Sequence, residues 1–219
     1  MLDRGQVRAF YDRFGARQDA QAFYEDAALT ELVLHADFEA AGRVYELGCG
    51  TGRFARRLLE RHLPDGATYL GVDLSATMVE LARGRLARFG AQAEVHLSDG
   101  APAVDAPTAS VDRVVSLYVL DLLPESEIRS FVRDAARALA PGGRICLVSL
   151  THGEGPLSRA VVGGWRLLFR LSPRLVGGCR PIRLLDFLAG GSWQVLCHRV
   201  VVAWGVPSEV VVAEAHGEA

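Results

Sequence analysis

Hydrophobic positions recur along this chain with two periods, and the switches between them mark out its elements. Over residues 3–40 the spacing is helical. Val7, Phe10, Tyr11 and Phe14 share one face, and Leu29, Leu32, Val33, Ala36 and Phe38 share another. The polar stretch Gly15–Glu25 joins them. From residue 44, short apolar runs predict strands: Val44–Leu47, Thr68–Asp73, Ala93–Leu97, Asp112–Leu117 and Arg144–Leu150. Between them lie helical patterns. One covers 53–62, with Phe54, Leu58 and Leu59 inward. The next runs from a cap at Ser75 or Thr77 to Phe89, with Met78, Ala82 and Leu86 on its apolar face. The third covers 125–139, with Ile128, Phe131, Val132, Ala135 and Leu139 inward. Thr77 and Glu80 have the spacing of a capping box. Pro64-Asp65-Gly66, Gly90 and Pro141-Gly142-Gly143 punctuate the series.

Strands alternating with helices at this spacing predict a doubly wound parallel sheet with right-handed crossovers. After Thr151 the pattern changes. Residues 157–176 are apolar and dotted with arginine, and Gly163-Gly164 interrupts their helical spacing. Trp193–Trp204 and Ser208–Ala213 are β-rich and flank Gly205-Val206-Pro207, which predicts an antiparallel pair closing one edge. The expected fold is α/β: a mostly parallel seven-stranded sheet with helices on both faces and an antiparallel C-terminal edge hairpin.

Composition narrows the function. At 219 residues, one domain with a substantial core is expected. A net charge of -2 gives no basic field for nucleic acid, so no nucleic-acid partner is expected. All 24 basic residues are arginine, which excludes any Schiff-base or lysine-nucleophile chemistry. Cys49, Cys146, Cys179 and Cys197 form no CxxC pair. Metal and redox motifs are therefore not expected, and reduced thiols point to a cytoplasmic protein. Met1–Gln6 has no apolar h-region, so no secretory signal is expected. No apolar run is long enough to span a membrane.

The candidate chemistry centres on Val44–Ala55, a strand that ends in a glycine-rich turn and feeds a helix. Gly48, Gly50 and Gly52 alternate, with Glu46 just before them. Glycines let the backbone approach a ligand closely, and the helix start offers free N–H groups. The spacing is G-x-G-x-G; in the dinucleotide fingerprint G-x-G-x-x-G the third glycine would fall at position 53, which is Arg53. An acidic residue beside the turn suits a ligand with a positive group. Asp73 lies 25 positions after Gly48, where a carboxylate accepts from ribose hydroxyls in several nucleotide folds.

Glu46–Gly52 resembles the first motif of class I S-adenosylmethionine-dependent methyltransferases. Gly71–Val79 resembles the family's second motif, Ser98-Asp99-Gly100 its third, Asp112–Leu120 its fourth and Leu139–Ile145 the segment before its fifth strand. Together they span residues 44–150 in family order. The resemblance implies a Rossmann-like domain organised as a helical flap (1–42), a cofactor core (43–150), an acceptor cap (151–190) and C-terminal strands (191–219). It implies S-adenosyl-L-methionine as cofactor and S-adenosyl-L-homocysteine as product. Gly48, Gly50 and Gly52 would pack against its methionine and ribose portion, and Glu46 would attract its ammonium unless loop N–H groups satisfy it. Asp73 would hold the ribose. Asp99 and Gly100 would read the adenine, and Leu74, Met78 and Leu117 would sandwich it; Met78 is equally readable as core. Tyr11 and Tyr24 are contacts if the flap is a lid.

Methyl transfer needs an oriented acceptor and often a proton acceptor. Tyr118, Asp121 and His152 follow strands four and five, where ligands bind in open α/β sheets. Two of them have a plain alternative: Asp121 a loop cap, His152 a surface histidine. Trp165 and Phe169 in the cap suggest a small-molecule acceptor with an apolar or aromatic part, lipid-like included, and arginines there can meet an acid or phosphate. A basic amphipathic helix on a membrane is the other reading of that segment. A catalytically inactive cofactor-binding subunit and a nicotinamide-dependent oxidoreductase are the rival functions. Oligomeric state is not legible.

Overall fold

The computed structural model describes residues 2–153, 155–173, 178–190 and 193–215. Two helices, α1 (Arg4–Phe14) and α2 (Ala22–Ala36), are joined by a 3₁₀ turn, Gly15–Gln21. Then come β1 (Arg43–Leu47), α3 (Arg53–Arg61), β2 (Thr68–Asp73), α4 (Ala76–Leu86), β3 (Ala93–Leu97), β4 (Val111–Leu117), α5 (Glu125–Ala138) and β5 (Leu139–Leu150). The chain ends with α6 (Pro156–Leu171), α7 (Leu185–Leu188), β6 (Trp193–Ala203) and β7 (Val206–Ala215).

The seven strands lie in the order β3-β2-β1-β4-β5-β7-β6. β1 to β5 pair in parallel; β7 pairs antiparallel with both β5 and β6. This is the expected Rossmann-like sheet with its C-terminal hairpin. Consecutive residues of a strand face opposite sides, so each strand feeds two cores. Val210 and Val212 of β7 join Leu32, Phe54, Leu58 and Ala82 under α2, α3 and α4. Val211 and Ala213 join Ile128, Phe131 and Phe187 under α5 and α7.

Three expected details differ. Ser75, not Thr77, caps α4: its hydroxyl accepts from the Met78 N–H at 3.2 Å, and no Thr77–Glu80 box forms. β5 begins at Leu139, ahead of Pro141-Gly142-Gly143, because the chain leaves α5 directly into extended conformation. α6 runs unbroken through Gly163-Gly164. Glycine costs about 1 kcal/mol in a helix interior, and here both glycines sit on the outer face of a sixteen-residue helix anchored by its inner one.

One buried polar pair ties the first two strands together. The Tyr69 hydroxyl donates to Glu46 Oε2 at 2.6 Å inside the sheet face. Burial pushes the Glu46 carboxyl from its ordinary 4.5 up to about 8, against the lowering effect of that hydrogen bond. Between those values the unfolded chain has released the proton while the folded chain keeps it, so raising the pH favours unfolding. Glu46 alone contributes a loss of about 1.4 kcal/mol of stability per pH unit across this window. Urea unfolding midpoints should fall between about pH 5 and pH 8, and Glu46→Gln should flatten the fall; an unchanged slope in that variant would show that Glu46 is ionised in the folded chain.

Candidate functional site

The strand order reverses between β1 and β4, and a crevice opens there at the C-terminal edge of the sheet, the usual ligand position in open α/β folds. The turn after β1 holds Gly48, Gly50 and Gly52 at φ of 75°, 53° and 74°, in the left-handed region that favours glycine. Gly48 is needed for a second reason. A Cβ there would stand 2.2 Å from Val119 Cγ2, in the loop after β4. Gly52 caps α3, and a Cβ on it would press on Ala82 of α4 at 3.1 Å.

Asp73 at the end of β2 fixes the shape of this turn. Its Oδ2 accepts from the Gly50 N–H at 2.8 Å and its Oδ1 from the Ser75 N–H at 2.9 Å. Burial raises its carboxyl above the ordinary range, and the Ser75, Gly50 and Leu74 N–H groups offset only part of that rise. Each oxygen keeps a further lone pair for a ligand.

A cavity of about 340 Å³ lies over the turn. Its floor is Leu47, Gly48, Gly50 and Val72. Asp73, Leu74, Ser98 and Gly100 form one side, and Leu117, Tyr118, Val119, Leu122 and Leu123 the other. Val7 and Tyr11 of α1 and Gln18 of the following turn close it from above. A smaller cavity of about 50 Å³ shares Gly48, Gly50, Gln18, Leu117 and Tyr118 and is bounded by Asp19, Glu25, Glu46, Thr51 and Arg53. It is rich in acid. Burial lifts the Glu25 carboxyl to about 7, although the Arg53 guanidinium sits 2.9 Å away. The Gln18 Oε1 atom is buried with no hydrogen-bond partner among the described residues. A ligand carrying a cationic amine fits beside these acceptors, and a ribose fits against the spare lone pairs of Asp73.

The N-terminal segment is strapped over the turn by polar bonds. Asp12 accepts from the Ser75 hydroxyl at 2.6 Å. Asp19 accepts from Thr51 at 2.6 Å and pairs with Arg85 at 2.5 Å. Arg53 reaches back to Glu25 and Asp26. α1 itself buries no residue.

The structure brings Tyr11, Gly48, Gly50, Asp73, Leu74, Gly100, Leu117 and Tyr118 to the larger cavity. It places Glu46 at the smaller one and Gly52 in the α3–α4 contact. Three others lie elsewhere. Met78 is in the core, 1% exposed. Tyr24 is buried edge-on against Tyr118, with ring centroids 5.8 Å apart. Asp99 is exposed and accepts from the Ala101 N–H at 2.8 Å, within its own loop. Gln18, Glu25 and Val119 complete the cavities; Val119 lies within the Asp112–Leu120 motif with nothing to single it out, and only the polarity of Gly15–Glu25 hinted at the other two.

Of the acceptor-side candidates, Tyr118 is held at φ 55°, unusual for a bulky residue, with its hydroxyl 2.8 Å from Ser208 Oγ. Asp121 sits on the 3₁₀ turn Leu120–Leu122, fully buried. Its Oδ2 accepts weakly from the Leu150 N–H at 3.4 Å, and its Oδ1 has no partner among the described residues. Burial lifts it to about 7. Burial, with Cys179 and the Asp121 carboxyl adding to it, pushes the Tyr11 hydroxyl up. Tyr11 lines the larger cavity, whereas Asp121 lines neither. His152 is exposed after β5 and lines neither cavity. Away from the site, Glu31, His35 and Cys197 come within 4.8 Å of one another, with Arg199 Nε 3.7 Å from Glu31.

The sequence model of the family described as Methyltransferase domain matches residues 44–143, the stretch that builds the turn, the crevice and both of its walls. A demethylmenaquinone methyltransferase of Tropheryma whipplei (strain Twist) is 33% identical over 176 residues, covering 78% of this chain and 68% of that protein. A ubiquinone biosynthesis O-methyltransferase of Xanthomonas oryzae pv. oryzae is 28% identical over 135 residues, 62% of this chain and 54% of that protein. Among solved structures, a SAM-dependent methyltransferase from Methanosarcina mazei shares the fold with a TM-score of 0.67 at 15% identity, over 85% of this chain and 98% of that one. With a relative of that identity and coverage, and with the glycine turn, Asp73 and crevice in place, this chain belongs to the class I S-adenosylmethionine-dependent methyltransferases.

Proposed function

We propose that this methyltransferase acts on a small acceptor with an apolar or aromatic part, lipid-like acceptors included. The observation that carries the reading is the composition of the cavity. One side offers Asp73 and the glycine turn, while the other is a wall of Leu117, Val119, Leu122 and Leu123; Val7 and Tyr11 lie above, with Asp3, Arg4, Arg8 and Glu127 also in the lining. Relatives named for demethylmenaquinone and for ubiquinone biosynthesis support it, since quinone-type acceptors are apolar rings bearing oxygen.

The cofactor is S-adenosylmethionine, which supplies a methyl group on a sulfonium. Glu46, Glu25 and Gln18 are the acceptors available to its cationic amine, and Asp73 is available to its ribose. The apolar wall excludes water and orients the acceptor for in-line attack. Asp121, buried beneath the cavity-lining loop after β4, is the group assigned to take the acceptor's proton. A carboxyl lifted to about 7 is matched to that task near neutral pH. Tyr118 shapes the acceptor side through its constrained backbone. His152 lines neither cavity and is assigned no step. Transfer of labelled methyl from S-adenosylmethionine to a panel of phenols, quinols and lipid extracts tests the reading. Cofactor binding without transfer to any of them would favour an inactive binding subunit.

Asp73→Ala should weaken S-adenosylmethionine binding by about 1.5–3 kcal/mol, the scale for charge-assisted hydrogen bonds; unchanged affinity in calorimetry would remove the ribose role. Asp121→Asn should lower turnover by more than it lowers cofactor affinity. The ionised carboxyl is the proton acceptor, so wild-type turnover should rise with pH through about 7. That rise should vanish in Asp121→Asn, and a rise that survives would assign it to another group.

A further inference from the structure

α6 buries one narrow stripe and leaves the opposite face apolar. Ser158, Val162, Trp165 and Phe169 recur at helical spacing toward the body, and the Trp165 indole N–H donates to the Cys179 carbonyl at 3.0 Å. Outward lie Ala160, Gly163, Gly164, Leu167, Leu168 and Leu171, with Leu171 70% exposed. Exposed Arg159 and Arg170 fall together on one flank of the helix. Between positions 155 and 185 the chain has six arginines and no acidic residue, although its net charge is -2.

The same edge of the sheet carries a second apolar feature. Leu150 at the end of β5 pairs with Ser208 of β7, so the turn at Trp204-Gly205 lies at the edge from which the chain leaves β5 for α6. Trp204 is 80% exposed and packs edge-on against exposed Phe23. Phe23 in turn meets Tyr24, and Tyr24 meets Tyr118 in the cavity wall, with ring centroids 5.1 and 5.8 Å apart. Aromatic contacts thus run without a break from the cavity to the surface.

We infer that this edge docks on an anionic lipid bilayer, with the outward face of α6 and the Phe23–Trp204 pair in the interface and the cavity mouth turned toward the membrane. A helix with an apolar face and arginines beside it lies in the headgroup layer, and the aromatic pair suits the same depth. None of the helices among the described residues is long and apolar enough to cross. Charge favours lipid over a second copy of the chain, because two-fold self-association of this helix face would set the Arg159–Arg170 flank against itself. The inference rests on the apolar-acceptor reading for its purpose, but its evidence is the surface.

Cosedimentation with vesicles tests it directly. The full chain should bind phosphatidylcholine vesicles containing phosphatidylglycerol and bind phosphatidylcholine alone far more weakly, with added salt releasing it. Leu167→Ser combined with Leu171→Ser should reduce binding by about tenfold or more, the scale for two leucines withdrawn from an apolar phase. S-adenosylmethionine affinity should be retained, which shows that the variant is folded. Fluorescence of Trp204 should shift to the blue on binding, read as the difference between the wild type and Trp204→Phe. No binding to anionic vesicles would overturn the inference. So would binding that the leucine variant leaves unchanged, or a dimer in solution that the leucine variant dissolves while vesicles bind neither form. Vesicle binding in a chain that methylates only water-soluble acceptors would uphold docking and overturn the acceptor reading alone.

Discussion

A single carboxylate holds the site together. Asp73 grips the N–H of Gly50 with one oxygen and the N–H of Ser75 with the other. The first bond sets the glycine turn after β1, and the second sets the start of α4, whose Ser75 hydroxyl donates to Asp12 of the N-terminal segment. Floor, side and roof of the cavity therefore share one anchor. The low-dielectric surroundings that raise the cost of ionising Asp73 also strengthen each bond it makes. The arrangement stays satisfied because two backbone donors meet the charge, as a buried carboxylate requires.

Glycine at position 48 shows how the turn and the facing loop constrain each other. Val119 comes so near that no side chain can stand there. The close approach brings β1 and β4 together at the switch point, and it brings Tyr118 with them, in the left-handed region. A strained residue beside a cavity is the pattern of a position held for what it presents rather than for how it packs.

The fold was legible because it is written in local periods. Strands such as Val111–Leu117 and helices such as Glu125–Ala138 announce themselves by spacing, and the glycine turn by its alternation. The doubly wound, mostly parallel sheet followed from general rules of connection, while its strand order came with the structure. The rest was illegible for a physical reason: it depends on contacts between distant segments. Gln18 and Glu25 reach the glycine turn only because the chain folds back over it, and the polarity of Gly15–Glu25 is the one local sign of them. Met78 stands at the right spacing for either a wall or the core, and only packing decides. Gly163-Gly164 reads as a break in any propensity argument, yet Val162, Trp165 and Phe169 hold the helix together across it. Asp121 was visible as a polar residue in an apolar run, but its depth came from the fold of β5 over it.

The roof of the cavity has a different character from its floor. α1 has no fully buried residue; Val7, Phe10, Tyr11 and Phe14 are half-buried, and polar bonds from Arg4, Asp12 and the neighbouring Asp19 add to their contacts. Such bonds are exchanged for bonds to water at a net cost of about 0.5–1.5 kcal/mol each, whereas the sheet beneath is held by side chains buried on both of its faces. Floor and roof of the cavity are therefore held by different forces: apolar burial below, and polar bonds with half-buried side chains above.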